Sequence, residues 1–280
     1  MVKLHYVDSR NIYGTMNTGT IRLSNITEAD KAMLLKQHSL KTLEGYEFTK
    51  EDKNRIFNTH WENFAHDNGF NPSSKFMADQ VDKKGTYFEL KKDYVEANPG
   101  GWTDVNEDIL VITDKVPGVV ACHPVADCPV VIMHDKKQNI AALAHCSADL
   151  VDKKMPMMVA DALTQGYGTK EEDISILVGA HAGSNWTYDS YPKWATDENL
   201  WNDCITEKDG LYKINLRKAL LKQFVERKLG ECKMQMSLTD TITDSRYYSN
   251  SAQRNNPSKL GRHIEGIFFE DDKKTMGKRR

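Results

Sequence analysis

The chain has 280 residues, of which 28% are charged and 39% hydrophobic, and its net charge is −2. This is the profile of a soluble globular protein without a general electrostatic affinity for nucleic acid. No apolar run approaches the ~18 residues that a transmembrane helix needs, and the N-terminal residues lack an apolar signal core. Five irregularly spaced cysteines do not resemble a disulfide framework. We therefore expect a cytoplasmic protein with free thiols.

Two helices are predicted early in the chain. Thr27 followed by Asp30 is typical of a helix start. Thr49 and Asp52 have the spacing of a capping box, and the apolar stripe that begins at Ile56 predicts a longer helix that ends near residue 69.

Strands and helices then interleave along the rest of the chain. The predicted strands are Phe76–Val81, Ile109–Ile112, Val119–Cys122, Ile174–Val178, Met234–Leu238 and Ile264–Phe269, and the later helices are Met155–Leu163 and Leu216–Val225. Residues 184–213 have little periodicity and are predicted to be a long excursion. The fold class expected is α/β (α+β), a single layered domain with a mixed, largely buried sheet and flanking helices. We divide residues 1–280 into a divergent N-terminal part (1–48), a core (50–270) and a basic tail (271–280).

Cys128 and His145 are the most informative pair of residues. An apolar run begins at Cys128 and another ends at His145, with a polar stretch at 135–139 that is typical of a tight turn. If His134 faces Asn139, Cys128 faces His145 with Cβ atoms roughly 4.5–5.5 Å apart. A thiolate and an imidazole at that separation can hold one zinc ion. The alternative is a buried thiol beside a core histidine.

A catalytic zinc site needs a third protein ligand. Asp82 and His181 follow strands, where sites are often assembled. His123 is a weaker candidate, because strand alternation places it on the face opposite Cys128 unless Pro124 bends the strand.

Other polar residues flank these candidates. Asp127 either orients a metal ligand or caps the turn. Arg254 and Arg262 lie in a polar stretch and suit phosphate, the alternative being an ordinary surface loop. The segment Gly179–Gly183 is a small-residue junction that allows close approach of an anion, although it lacks the lysine and spacing of a P-loop.

Several segments resemble, in order, the motifs of the multicopper polyphenol oxidase (laccase)-like family. Ala126-Asp-Cys-Pro-Val130 and Ala144-His145 resemble its Ala-Asp-Cys…Ala-His core. Asn54-Arg55, Gln80-Val81-Asp82 and the stretch Tyr247–Arg262 resemble its Asn-Arg, Gln-Val-His and Phe-Ser…Gly-Arg motifs. Together these matches span roughly residues 50–270.

The resemblance implies one α/β domain in which a cysteine and two histidines bind zinc. The corresponding positions are Cys128, His145 and Asp82, so an aspartate replaces the first histidine. Aspartate also ligates zinc, at about 2.0–2.2 Å. A second departure is Asp149, which stands where the family has an arginine and would repel phosphate.

The resemblance also assigns roles to the remaining site residues. Gln80 and His181 are the candidate catalytic residues, and Arg55, Arg254 and Arg262 are the candidate ligands of substrate or phosphate.

Characterised members of that family act as zinc-dependent purine nucleoside phosphorylases, some with adenosine deaminase activity. The resemblance therefore implies phosphorolysis of adenosine or inosine to the base and ribose-1-phosphate. Zinc is the expected cofactor, since one Cys/His pair does not make a multicopper centre. The alternatives are a zinc-dependent nucleoside deaminase or hydrolase, and a non-catalytic nucleoside-binding member. Expected partners are a purine nucleoside and phosphate, with no nucleic acid or membrane, for a monomer or homodimer.

Overall fold

The computed structural model describes residues 3–9, 28–49, 51–52, 55–56, 58–59, 62, 66, 75–78, 84–98, 102–183, 185–229, 233–255 and 262–270. Its strands are β1 (Leu4–Ser9), β2 (Lys75–Ala78), β3 (Tyr87–Glu89), β4 (Trp102–Val105), β5 (Ile109–Thr113), β6 (Val120–Val125), β7 (Val130–Asp135), β8 (Ile140–His145), β9 (Ile174–Val178), β10 (Thr187–Tyr188), β11 (Ile205–Lys208), β12 (Leu211–Ile214), β13 (Lys233–Met236) and β14 (His263–Phe269). Its helices are α1 (Glu28–Gln37), α2 (Lys92–Ala97), α3 (Ala148–Asp152), α4 (Met155–Tyr167), α5 (Glu198–Trp201) and α6 (Leu216–Glu226). Within these ranges, no helix combines the length and apolarity needed to cross a membrane.

The described strands form three sheets. One has the order β1-β14-β6-β2-β4, a second β13-β9-β7-β8-β5-β3, and a small third β10-β12-β11. In the second sheet β7 pairs antiparallel with β8 and β9, whereas β13 and β3 pair parallel with their neighbours. The sheet is therefore mixed, as predicted.

The two large sheets pack face to face. Side chains from both sheets, including Ala121, Val130, Leu143 and Ile267, form the hydrophobic core between them. The other face of the second sheet packs against α3, α4 and α6 through a second core. Its central strands are thus buried on both faces, which is what their uninterrupted apolar sequences predicted. The layered α/β (α+β) class is confirmed.

The N-terminal capping box is also confirmed. The backbone N–H of Asp52 donates to Thr49 Oγ1 at 3.1 Å, and the N–H of Thr49 donates to the Asp52 carboxylate at 2.9 Å. This reciprocal pair satisfies two backbone donors at the helix start. The helical residues described after it run from 51 to 66 with gaps.

The segment predicted to be a long excursion contains regular structure. Residues 185–213 include β10, α5, β11 and most of β12, so the sequence prediction was wrong there. The carboxylate of Asp152 anchors the segment by accepting hydrogen bonds from the backbone N–H of Thr196 and of Asp197 and from Trp201 Nε1. The strands β11 and β12 were missed because they are short and largely exposed, so their sequences lack the alternation of apolar and polar residues that predicts a strand.

The register predicted for the β7–β8 hairpin is wrong by two residues. Val130, not Cys128, faces His145. The turn covers residues 136–139, and the carboxylate of Asp135 holds it by accepting two backbone N–H groups within it. Cys128 lies two residues before Val130, outside β7, so the cross-strand Cβ separation predicted for it does not apply.

Candidate functional site

The candidate site lies at one end of the layer between the two large sheets. β6 contributes His123, β8 contributes His145, and the loop between β6 and β7 contributes Cys128. The rings of His123 and His145 have centroids 6.2 Å apart. The thiol of Cys128 interacts electrostatically with Asp149 and Arg262. Groups remote in sequence are therefore neighbours here, although the hairpin does not place Cys128 opposite His145.

Asp127 shapes the loop that carries the cysteine. Its φ of 83° lies in the left-handed region, so the chain leaves the strand pleat between β6 and β7. Its carboxylate accepts hydrogen bonds from Thr241 Oγ1 at 2.7 Å and from the N–H of Ser251 at 2.6 Å. Its carbonyl accepts the N–H of Ala182 at 2.7 Å. Asp127 thus fixes the loop to two other segments of the chain.

His123 is buried beside His145. It is 2% exposed, and its Nε2 has no hydrogen-bond partner. Burial, with the neighbouring His145, lowers the pKa of His123 to about 3, so the imidazole is neutral at neutral pH. Strand alternation had placed His123 on the face opposite Cys128. The left-handed turn at Asp127 breaks that alternation.

The thiol of Cys128 is protonated in this arrangement. Burial raises its pKa to about 12, the carboxylates of Asp127 and Asp149 act in the same direction, and Arg262 opposes them. Cys128 therefore lacks the lowered pKa of a nucleophilic cysteine. A metal would bind it by displacing the proton.

Two opposite charges lie near the thiol. Arg262 immediately precedes β14 and interacts with Cys128 and Asp127, and burial lowers its pKa from 12.5, which leaves it charged. Asp149 lies in the first turn of α3 and accepts a hydrogen bond from the hydroxyl of Ser147. Arg262 attracts an anion to the site, whereas Asp149 opposes one.

Further buried polar groups lie next to His123. Glu265 on β14 faces His123 directly across the β6–β14 ladder, and its carboxylate accepts the N–H of Ala180 at 2.7 Å. The carboxylate occupies the space that a side chain at Gly179 would need. His263 Nε2 lies 3.4 Å from the same carboxylate. Sequence reasoning missed Glu265 and His263, whose signal is polar residues at alternate positions of an otherwise apolar strand.

The other predicted catalytic residues are placed as follows. His181 is fully buried, its Nδ1 donates to the carbonyl of Gly179 at 2.8 Å, and burial lowers its pKa to about 4. The backbone of residues 181–182 runs beside the cysteine loop, through the bond from Ala182 to Asp127. Gln80 lies outside the described residues.

Of the three remaining predicted ligands, the structure describes the side chain of Arg55 alone. Arg55 is exposed, forms an ion pair with Glu51 at 3.3 Å and donates to Gln37. Arg254 ends a 3₁₀ turn, and its side chain lies outside what the structure describes. Asp82 also lies outside the described residues.

The donor chemistry at this end of the molecule suits zinc. One thiol and two imidazoles are typical zinc ligands, and the Nε2 of His123 is a buried nitrogen without a hydrogen-bond partner. Among the residues that the structure describes, no three His, Cys, Asp or Glu side chains are already grouped as a metal site. Loading zinc onto these three therefore requires side-chain rotation.

The sequence model of the multi-copper polyphenol oxidoreductase laccase family matches residues 40–270. The chain belongs to this family. The match covers β2 to β14, including the Cys128 loop and the β7–β8 hairpin. The family is metal-associated, with copper in its name. Its sequence model spans all the site residues discussed above.

Solved structures share the fold. The Bacillus licheniformis hypothetical protein YfiH is 16% identical, with a TM-score of 0.62 over 91% of each chain. YlmD from Geobacillus stearothermophilus is 15% identical, with a TM-score of 0.63 over 78% of this chain and 82% of that one. The Neisseria meningitidis protein NMB0706 is 14% identical, with a TM-score of 0.57 over the same shares. No curated protein matches this chain significantly.

Proposed function

We propose that this protein is a zinc-dependent purine nucleoside phosphorylase that converts adenosine or inosine and phosphate into the free base and ribose-1-phosphate. Membership of a metal-associated family that includes purine nucleoside phosphorylase-like proteins supports the proposal. The single observation that carries it is the electrostatic interaction of Arg262 with Cys128. A guanidinium can bind the phosphate anion, and a thiolate can bind zinc. Metal-assisted phosphate chemistry uses both kinds of group.

In the proposed reaction a phosphate oxygen bonds to the anomeric carbon of the ribose while the glycosidic C–N bond breaks. The bonding electrons leave with the base, which takes up a proton. Cys128 and His145 hold zinc, with Asp82 as a further ligand, and a zinc ion there supplies Lewis-acid chemistry. Arg262 binds phosphate through its planar fork and keeps it close to the reacting carbon. Arg254 and Arg55 are the other proposed cationic contacts.

Proton transfer is proposed for His181, and Gln80 is proposed as a second catalytic residue. Because the Nδ1 of His181 donates to a carbonyl, its neutral ring presents Nε2 as an acceptor. Its pKa of about 4 keeps the ring neutral at neutral pH. His181 is therefore proposed to accept a hydrogen bond or proton and not to act as the acid that protonates the base.

Asp149 supports a second candidate, zinc-dependent hydrolysis or deamination of a nucleoside. Its carboxylate lies close enough to Cys128 to raise the pKa of that thiol. A carboxylate repels phosphate, whereas it can accept a proton from an attacking water. The two candidates therefore differ in the nucleophile.

The test is to incubate the purified protein with adenosine or inosine, with and without inorganic phosphate, and to measure all products. Ribose-1-phosphate that appears only with phosphate supports phosphorolysis. Free ribose or ammonia without phosphate supports the second candidate and contradicts the first. Binding of the nucleoside with no product would identify a non-catalytic member.

A pair of arginine variants tests the role of the guanidinium. Arg262→Ala should raise the KM for phosphate by about 10-fold or more, because a charge-assisted contact worth about 1.5–3 kcal/mol is lost. Arg246→Ala is the matched control, since Arg246 is an exposed arginine already paired with Asp244 at 2.6 Å. Equal phosphate KM values in Arg262→Ala and wild type would contradict the assignment.

A further inference from the structure

His123 has the environment of a metal ligand that lacks its metal. The side chain is 2% exposed, so water does not satisfy its Nε2, and no protein group does so. A buried polar atom left without a hydrogen-bond partner destabilises the protein. Zinc binding would remove this destabilisation, because the free nitrogen lone pair is the one that coordinates the ion.

The position of His123 relative to His145 fits a shared ion. Zinc binds imidazole nitrogen at about 2.0–2.1 Å, so two histidines on one ion have ring centroids roughly 5–6 Å apart. The observed separation is 6.2 Å, with the ring planes inclined by 39°. The separation is therefore compatible with both rings binding one ion after side-chain rotation.

We propose that His123 is an additional protein ligand of the zinc site, beside Cys128, His145 and the proposed ligand Asp82. The inference rests on the proposed function for the presence of zinc, and it adds a ligand supplied by β6. Asp82 stands where the family has a histidine. His123 supplies a second imidazole from a different strand. The proposed ligands then again include one sulfur and two imidazole nitrogens.

Glu265 is the residue placed to orient this ligand. It lies directly across the β6–β14 ladder from His123. Histidines that bind metals commonly pair their other ring nitrogen with a carboxylate, which fixes the ring orientation and the tautomer. The bond from the N–H of Ala180 already fixes the carboxylate in position.

His134 provides a matched control within the same layer. Its Nε2 is also buried without a hydrogen-bond partner, and its ring packs against Phe269 with centroids 6.0 Å apart. It lies at the opposite end of β7 from the Cys128 loop. An unpartnered imidazole alone therefore does not predict zinc binding, and the ring contact with His145 is what distinguishes His123.

The experiment measures the zinc affinity of the full-length protein by competition with a chromophoric chelator. His123→Ala should bind zinc at least ~100-fold more weakly than wild type, since even partners that only orient a ligand cost about 10–100-fold. His134→Ala should bind like wild type. His123→Cys should keep the affinity within about 10-fold, because cysteine is also a zinc ligand.

Cobalt(II) substitution gives a readout independent of activity. In His123→Cys, the sulfur-to-cobalt charge-transfer absorption should increase over that of wild type, because a second thiolate joins the site. An unchanged absorption overturns the inference, and this result decides the matter even if His123→Ala fails to fold. Wild-type zinc affinity in a folded His123→Ala overturns it as well, as does a wild type that binds no zinc.

The inference and the proposed function fail in different ways. Zinc binding that depends on His123, without phosphate-dependent cleavage of a nucleoside, contradicts the function alone. Phosphate-dependent cleavage of a nucleoside by a protein whose zinc affinity does not depend on His123 contradicts the inference alone.

Discussion

Polar side chains have opposite surroundings in two regions of this molecule. The carboxylate of Asp152 accepts hydrogen bonds from Thr196, Asp197 and Trp201, and it holds the 185–213 segment on α3. At the end of the inter-sheet layer, the Nε2 of His123 and both ring nitrogens of His263 have no hydrogen-bond partner. Native proteins satisfy nearly all buried polar groups, so each exception needs a reason.

The comparison separates polar groups that stabilise the fold from those that are held for a ligand. Truncating a satisfied carboxylate destabilises the protein, because the groups that donate to it lose their acceptor. An unsatisfied imidazole already destabilises the metal-free protein, so its replacement by an apolar side chain has the opposite sign. Four variants or conditions test this distinction, from the largest expected effect to the smallest.

Asp152→Ala should lower the free energy of unfolding by about 3 kcal/mol, because several donors lose their common acceptor. Urea denaturation measures the change. Asp161→Ala is the control, since Asp161 forms a partly exposed pair with Arg227 at 2.7 Å and should cost about 1 kcal/mol or less. Equal losses in the two variants would contradict the structural role of Asp152.

Gly179→Ala should destabilise the protein by about 2 kcal/mol, because the added methyl group overlaps the Glu265 carboxylate. Combining it with Glu265→Ala removes the overlap. A double-mutant cycle should then show that the two changes together cost less than the sum of the separate changes. Additive costs would mean that the two residues are not in contact.

Acidification should remove about 1–2 kcal/mol of stability through Asp52. Burial acts to raise its pKa, but hydrogen bonds from His38, Thr49 and Tyr46 outweigh it and lower the pKa from 3.8 to about 2. A lowered folded-state pKa gives stability that is present above pH 3.8 and is lost as the pH falls toward about 2. Asp52→Asn should lack this part of the pH dependence in urea titrations; an identical profile would exclude Asp52 as its source.

His123→Leu should leave the unfolding free energy of the zinc-free protein unchanged or raise it by up to ~1 kcal/mol. The replacement removes an unsatisfied polar atom and keeps an apolar side chain of similar size in the layer. Thermal or urea unfolding of metal-free protein measures the effect. A loss similar to that of Asp152→Ala would show that His123 stabilises the fold, and would remove the contrast between the regions.

The sequence predicted the central fold well because its strands are buried on both faces. The range Ile174–Val178 and the apolar runs of β7 and β8 were found with little error, since uninterrupted apolar residues leave few alternatives. Where strands are exposed, as in residues 205–214, the same reasoning failed because the apolar pattern is absent.

The site was harder to predict because two aspartates redirect the backbone. Asp135 accepts N–H groups inside the hairpin turn and shifts the register by two residues from the predicted one. Asp127 adopts a left-handed conformation, so strand alternation does not extend from His123 to Cys128. Both effects depend on side-chain hydrogen bonds, which hydrophobic periodicity does not report. Cys128, His145 and Arg262 were named as site residues from the sequence, and these assignments remain predictions.

The central claim is that the Cys128 end of the inter-sheet layer holds zinc. Elemental analysis of purified wild-type protein and of Cys128→Ala tests it most directly. We predict one zinc per wild-type chain and its loss in Cys128→Ala, with both proteins folded. The same zinc content in the two proteins, or none in wild type, would contradict the claim.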